Sequence, residues 1–286
     1  MAQLTQLKRK IQSIKTTKKI THAIRLVSMS SYSKLEKEID FLKNYKKNIS
    51  KTFSQLLLNL PEWTDKVLFP KDLFDKKPLF ILVSSSKGLC GSFNSNLIRY
   101  IERKLAIEKH QKAEFITIGQ KIEKEIRTKN LGKIILNFPE LNSGNLEIIS
   151  KKIINLIYNS KENYSSVSFY SNRLKNFFIQ RPQKTTLIPI NMDFKEDSEN
   201  EKIDFDPIFE QDKIKIINFI AKKHIKGTIL EILFQSLISE NASRFLAMDS
   251  SNTNAEKMLE KLTLQYNKSR QALITREVSE LSANMG

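Results

Sequence analysis

Apolar residues recur along the first sixty positions with a heptad step. Leu35, Leu42, Ile49 and Leu56 stand seven apart, Ile39, Tyr45, Phe53 and Leu60 interleave, and Leu4, Leu7, Ile11 and Ile14 begin the same stripe. At 1.5 Å per residue this predicts a helix of roughly 80 Å. The far end reads alike. Ile225, Ile229, Ile232, Leu233 and Leu237 are followed by Leu259, Leu262, Tyr266 and Leu273, then by Ile274, Val278, Leu281 and Met285. Its period drifts as a stuttered coiled coil does, and as one helix it would reach about 110 to 120 Å. An apolar stripe on an isolated helix of such length is untenable in water. The pattern therefore predicts that the two chain ends pair as an antiparallel coiled coil; the alternative is that each stripe packs on the middle of the chain.

The middle has another rhythm. Leu79 to Val83 is a short apolar run after Pro78, followed by the turn Ser84-Ser-Ser-Lys-Gly-Leu-Cys-Gly91 and a helical pattern over 94–107. Strands over 114–118 and 133–138 and helices over 119–131 and 146–158 follow in alternation, which argues a parallel, three-layer, Rossmann-like α/β domain. Residues 166–170 and 177–190 have no helix between them, so an antiparallel hairpin should close the sheet. Residues 193–206 form an acidic stretch with few apolar positions, read as a mobile loop before Pro207 opens the last helix.

Punctuation supports this division. All seven prolines lie between Pro61 and Pro207, and five of the seven glycines fall between Gly88 and Gly144. Proline and glycine cost about 3 and 1 kcal/mol in a helix interior, so the two ends are free to be long helices. The expected parts are 1–60, a first long helix; 61–207, a linker and the α/β domain; and 208–286, a second long helix. The lone Cys90 forms no internal disulfide and excludes a Cys-rich zinc module. No stretch approaches the roughly 18 apolar residues that span a bilayer, and the start lacks a signal layout, so a soluble, unexported chain is expected.

Candidate chemistry is sparse. A turn with Gly88, Cys90 and Gly91 after a first strand could cradle a phosphate at a helix N-terminus. It lacks the third glycine of a dinucleotide fingerprint and the Gly-Lys-Ser/Thr of a Walker loop, so it reads as a tight structural turn. Cys90 as a nucleophile is the lesser reading beside a buried turn cysteine. His22, His110 and His224 are scattered without metal spacing. No catalytic, cofactor or metal constellation emerges, although a nucleotide-dependent α/β enzyme stays open as an alternative.

Charge adds one feature. The formal net charge is +17, of which residues 1–34 carry eight Lys or Arg and no acid. The segment 15–33 is helical in pattern yet rich in hydroxyls, which predicts a polar, positive collar that wants an acidic partner. A coiled-coil protein gripping nucleic acid with its basic end is the binding-class alternative.

Lys10-Ile11, Lys19-Ile-Thr-His-Ala-Ile-Arg-Leu-Val27, the Ser84 to Gly91 turn, Ser239-Glu-Asn-Ala-Ser-Arg-Phe-Leu-Ala-Met248 and Tyr266-Asn-Lys-Ser-Arg-Gln-Ala-Leu-Ile-Thr-Arg-Glu277 together resemble the gamma subunits of F-type ATP synthases, in order and at matching length. The resemblance implies a non-catalytic central rotor shaft. Its terminal helices would pair inside a ring of three alpha and three beta subunits, with the α/β domain on the epsilon subunit and the membrane c-ring. It implies peripheral attachment at the cytoplasmic face of the bacterial inner membrane, no cofactor and no nucleic acid. By the same resemblance Lys19, Ile24 and Arg25, with Arg244, Gln271 and Thr275 on the partner helix, would share one rotor–stator contact.

Overall fold

The computed structural model describes residues 2–70, 76–108, 113–160, 164–190 and 212–284. His110, the acidic stretch 193–206, Pro207 and Met285 lie outside the described residues. The order is α1 (Ala2–Asn59), β1 (Leu79–Val83), α2 (Phe93–Glu108), β2 (Glu114–Ile118), α3 (Gln120–Thr128), β3 (Lys133–Phe138), α4 (Leu146–Asn159), β4 (Val167–Asn176), β5 (Ile179–Ile188) and α5 (Lys213–Asn284). The chain divides into two compact units, Met1–Ser30 with Arg244–Gly286, and Ser31–Ser243.

In the larger unit the sheet order is β3-β2-β1-β4-β5. β1 pairs in parallel with β2, Leu79 opposite Glu114, and with β4, Leu79 opposite Val167. β2 and β3 are also parallel, while β4 and β5 form the expected antiparallel hairpin, longer in its first strand than the sequence implied. All five β1 side chains are buried, because successive residues of a central parallel strand face opposite, equally covered sides. On one side Phe80 and Leu82 meet Leu97 and Ile101 of α2 and Ile122 and Ile126 of α3. On the other, Leu79, Ile81 and Val83 share a core with Ile149, Ile153 and Ile157 of α4.

That second core also takes in both long helices. Tyr32, Leu35, Ile39, Phe53 and Leu56 of α1 and Ile217, Ala221, Ile225, Ile229 and Leu233 of α5 belong to it, with Leu42 packed against them. The two readings of the stripes are therefore both realised here: the helices pair with each other and, as a pair, cover the sheet. A parallel sheet needs both faces covered, and α4 shares that work with α1 and α5.

The pairing is antiparallel. Lys46 Nζ lies 2.5 Å from Glu231 Oε2, Ser50 Oγ 3.2 Å from His224 Nδ1, and Trp63 Nε1 donates to Asn218 Oδ1 at 2.9 Å. His224 stacks on Phe53 at 5.2 Å between centroids. Burial, and then the Lys46 charge, hold its pKa down at about 4. The fold thus favours neutral His224. Its contribution is complete above the unfolded value of about 6.5 and is lost as pH falls toward about 4, in all roughly 3 kcal/mol. Urea unfolding followed by the fluorescence of Trp63, whose ring is 6.0 Å from Phe53, should show midpoints falling across that interval. In His224→Gln the fall should flatten; an equal fall would mean another group carries it.

Candidate functional site

The smaller unit is a helical hairpin, residues 2–30 of α1 against 244–284 of α5. Lys18 Nζ contacts Glu256 Oε1 at 2.6 Å, and Arg25 Nη1 contacts Asp249 Oδ1 at 2.7 Å, so the two helices run antiparallel here too. The Lys18 ammonium draws the Glu256 carboxyl below its usual range. Both pairs are partly solvated, where such bridges contribute little.

The inward positions of α1 step by three and four through Leu4, Leu7, Ile11 and Ile14, then Lys18, Thr21, Arg25 and Ser28, all buried or half-buried. The geometry of the seam continues while its chemistry changes from apolar to polar. Across from it, α5 contributes Met248, Asn252, Ala255, Leu259, Leu262 and Tyr266, likewise shielded. Arg25 Nε and Asn252 Oδ1 are buried without a hydrogen-bond partner. A buried unsatisfied group costs about 1–3 kcal/mol, so this level of the hairpin is held less firmly than the leucine and isoleucine stretch.

The polar collar needs correcting. Thr21 and Ser28 are 8% and 2% exposed, turned into the seam, whereas Ile20, Leu26 and Val27 are 54%, 54% and 66% exposed. Ile20 and Val27, seven apart, share an outward face with Ala23 between them. The segment 15–33 therefore presents apolar side chains among exposed Lys15, Thr16 and Lys19. The signal was available: carrying the heptad step past Ile14 lands on Lys18, Thr21, Arg25 and Ser28, so the hydroxyls are partly interior. Several of their protons are already engaged. Thr16, Thr17 and Ser28 donate to the carbonyls of Gln12, Ser13 and Ile24, and on α5 Thr253, Thr263 and Thr275 donate to those of Asp249, Leu259 and Gln271.

Of the six sequence-predicted contact residues, the structure brings together Lys19, Ile24 and Arg25 by their succession on α1. Arg25 turns inward to Asp249, with His22 Nδ1 3.4 Å from its Nη2, while Lys19 is exposed. Arg244 is half-buried on α5. Gln271 and Thr275 are exposed and lie 27 and 31 residues past Arg244, about 40 Å or more at the helical rise. The six do not form one cluster.

The end of α5 departs from its expected pairing. Lys18 sits opposite Glu256, so the start of α1, sixteen residues earlier, falls near position 272 of α5. Among the described residues α1 offers none beyond that point, and Ile274, Val278 and Leu281 are 50%, 56% and 61% exposed.

In the larger unit, the turn after β1 is a side-chain-wired knot. Asn94 Oδ1 accepts from the Ser85 N–H at 3.1 Å, and Asn94 Nδ2 donates to Ser85 Oγ at 2.7 Å and to Cys90 Sγ at 3.2 Å. Ser243 Oγ of α5 donates to the Cys90 carbonyl at 2.9 Å. Leu89 and Gly91 adopt positive φ, 64° and 56°, so Gly91 suits its place, while a side chain at Gly88 would meet open space. Cys90 is buried, as an inert turn cysteine would be. A shallow depression of about 330 Å³ beside the turn is lined by Ser86, Lys87, Gly88, Gln120, Lys121 and Lys124. Among the described residues no cluster of His, Cys, Asp or Glu could hold a metal, and no helix is long and apolar enough to cross a membrane.

The family model for ATP synthase matches residues 3–285. ATP synthase gamma chains from Pelagibacter ubique (strain HTCC1062) and Rickettsia felis (strain ATCC VR-1525 / URRWXCal2) are each 31% identical to this chain, covering 98% and 99% of it and 98% of each relative. The chain belongs to the ATP synthase gamma-chain family. Among solved structures, the Euglena gracilis mitochondrial ATP synthase rotor in rotational state 1 aligns with a TM-score of 0.63 at 15% identity, over 96% of this chain and 99% of that one. The Euglena OSCP/F1/c-ring structure in rotational state 3 gives 0.66 at 17% identity, over 99% and 94%. These distant likenesses show a shared fold. The gamma-chain match spans the hairpin, the Ser84 to Gly91 turn and the exposed end of α5 alike.

Proposed function

We propose that this chain is the central stalk subunit of an F-type ATP synthase, a rotor that carries torque between the membrane c-ring and a ring of three alpha and three beta subunits. The observation that supports this most is the antiparallel pairing of the two chain ends, in a chain that matches gamma chains over nearly its whole length. Residues 1–60 and 208–286 are the shaft helices in this reading, and 61–207 the linker and base that meets the epsilon subunit and c-ring. The subunit is non-catalytic, needs no cofactor of its own, and is held peripherally at the cytoplasmic face of a bacterial inner membrane.

Three identical sites around one asymmetric shaft meet different faces of it. Differential contact free energy then holds each site in its own conformation, and rotation permutes the states. The contact has two levels in place of one: Lys19, Ile24, Arg25 and Arg244 at the polar seam, and Gln271 and Thr275 where α5 outruns α1. Arg25 is a positioning residue at its level, since its guanidinium faces Asp249. Helix-engaged hydroxyls offer few free donors to bind a stator position tightly, and the small outward patch of Ile20, Ala23 and Val27 gives contact without a fixed hydrogen-bond register.

Affinity purification of the tagged chain after nuclease treatment tests the reading. Retention of alpha and beta subunits is expected; loss of all partners after the treatment would overturn it. Ile24→Lys should sharpen attraction to acidic stator loops and lower the ratio of ATP made per ion moved several-fold while assembly yield stays near wild type. A coupling ratio and assembly both unchanged in purified complex would remove Ile24 from the contact.

A further inference from the structure

β1 pairs with β4 only from Val167 to Tyr170, whereas β4 and β5 remain paired as far as Asn176 and Ile179. Residues 171–183 are thus a two-stranded ribbon running past the last β1 partner, Tyr170. It contains Arg173, Lys175 and Arg181 and no acid. Arg173 and Arg181 are direct cross-strand partners, and both are exposed. Like charges placed opposite each other, with Cβ atoms about 4.5–5.5 Å apart, weaken a hairpin. Among the described residues neither arginine has an acidic partner.

The tip between them is rigid. Asn176 Oδ1 accepts from the N–H groups of Phe178 and Ile179 at 3.1 and 2.8 Å. The Phe177 ring meets Tyr32 of α1 edge-on at 4.8 Å, and Phe178 meets Phe177 at 5.4 Å. Tyr32 is itself fixed, donating to Glu36 Oε1 at 2.9 Å. Phe178 is held outward on this support, 73% exposed. The ribbon thus holds an outward aromatic side chain at its tip and, behind it, two exposed arginines in direct cross-strand register, whose like charges an acidic partner would relieve.

We propose that the β4–β5 ribbon tip, Phe178 with Arg173 and Arg181, docks an acidic segment of a protein partner in the assembled complex; this rests on the stalk-subunit reading above. Guanidinium forks engage carboxylates two bonds at a time, and aromatic and Arg side chains are the commonest anchors of protein interfaces. Anionic lipid recognition uses clusters of about four to eight Lys or Arg, more than the outward basic groups of this ribbon.

A photoreactive benzoylphenylalanine in place of Phe178, irradiated in the purified complex, tests the proposal. The expected adduct is a partner-subunit peptide rich in Asp or Glu. Its yield should fall roughly tenfold in Arg173→Glu/Arg181→Glu, as expected for losing charge-assisted bonds. It should also fall in Arg173→Gln/Arg181→Gln, which relieves the cross-strand repulsion and so should stabilise the hairpin while weakening docking. Lys133→Glu on β3 should leave it unchanged. An adduct to lipid, to nucleic acid or to a peptide without acids, no adduct, or a yield indifferent to both arginine pairs would overturn the docking. Where the wild-type chain retains its partner subunits, such a result overturns the docking alone; where it retains none, the stalk reading falls as well.

Discussion

Replacing Ile229 by Asp should leave almost no assembled complex. Ile229 is fully buried in the core shared by α1, α5, α4 and β1, so the carboxyl would have to enter an apolar site either unpaired or protonated. Such a change costs on the order of 4–5 kcal/mol or more, against a total stability of about 5–15 kcal/mol for an ordinary domain. Ile229→Val, which removes one methylene, should cost only about 1 kcal/mol and assemble normally. The check is the amount of chain recovered with partner subunits by affinity purification. Near-wild-type recovery of the Asp variant would mean that the helix pair does not depend on the sheet core.

Gly119→Ala should be nearly as damaging, although it adds one carbon. Gly119 follows β2 and caps α3 at φ 93°, a conformation unfavourable for an L side chain. A Cβ there would lie 2.5 Å from the Ser84 carbonyl oxygen, 2.7 Å from Ser84 Oγ and 2.8 Å from the Ser85 carbonyl oxygen. Two of these are backbone atoms of the segment leaving β1 and cannot rotate away. The same Ser84 Oγ accepts from the Ile122 N–H at 3.1 Å, so relief of the clash would also loosen the start of α3. The expected loss is about 3–4 kcal/mol, read as a lowered urea midpoint of the full chain. Gly88→Ala, where nothing lies within 4 Å of the added carbon, should change the midpoint little. Equal effects of the two would show that the close approach at Gly119 is not what its backbone requires.

These two positions differ in how visible they were beforehand. Ile229 stands in a stripe whose spacing alone marks it as interior. Gly119 was readable as a boundary between strand and helix, yet nothing in the chain names Ser84, thirty-five residues away, as the neighbour that excludes a side chain. The candidate site shows the same contrast. Periodicity located the hairpin, but composition suggested that its hydroxyl-rich stretch faces outward. A helix has an inside and an outside at every turn, and composition averages over both. Thr21 and Ser28 went in and Ile20 and Val27 went out because the heptad step, not the proportion of hydroxyls, sets the direction of each Cβ.

Local patterning by itself determined the elements: two proline-free ends long enough only for paired helices, three strand and helix alternations, and a hairpin, since these follow from backbone sterics and from the period at which apolar residues recur. Their partners were decided only by the folded chain. Whether Leu35 and Ile225 would cover each other or the sheet, where α5 would outrun α1, and that Arg173 would stand opposite Arg181 all depend on register between distant segments. Register is chosen by the total burial and charge of the assembled core, a sum that no single segment contains.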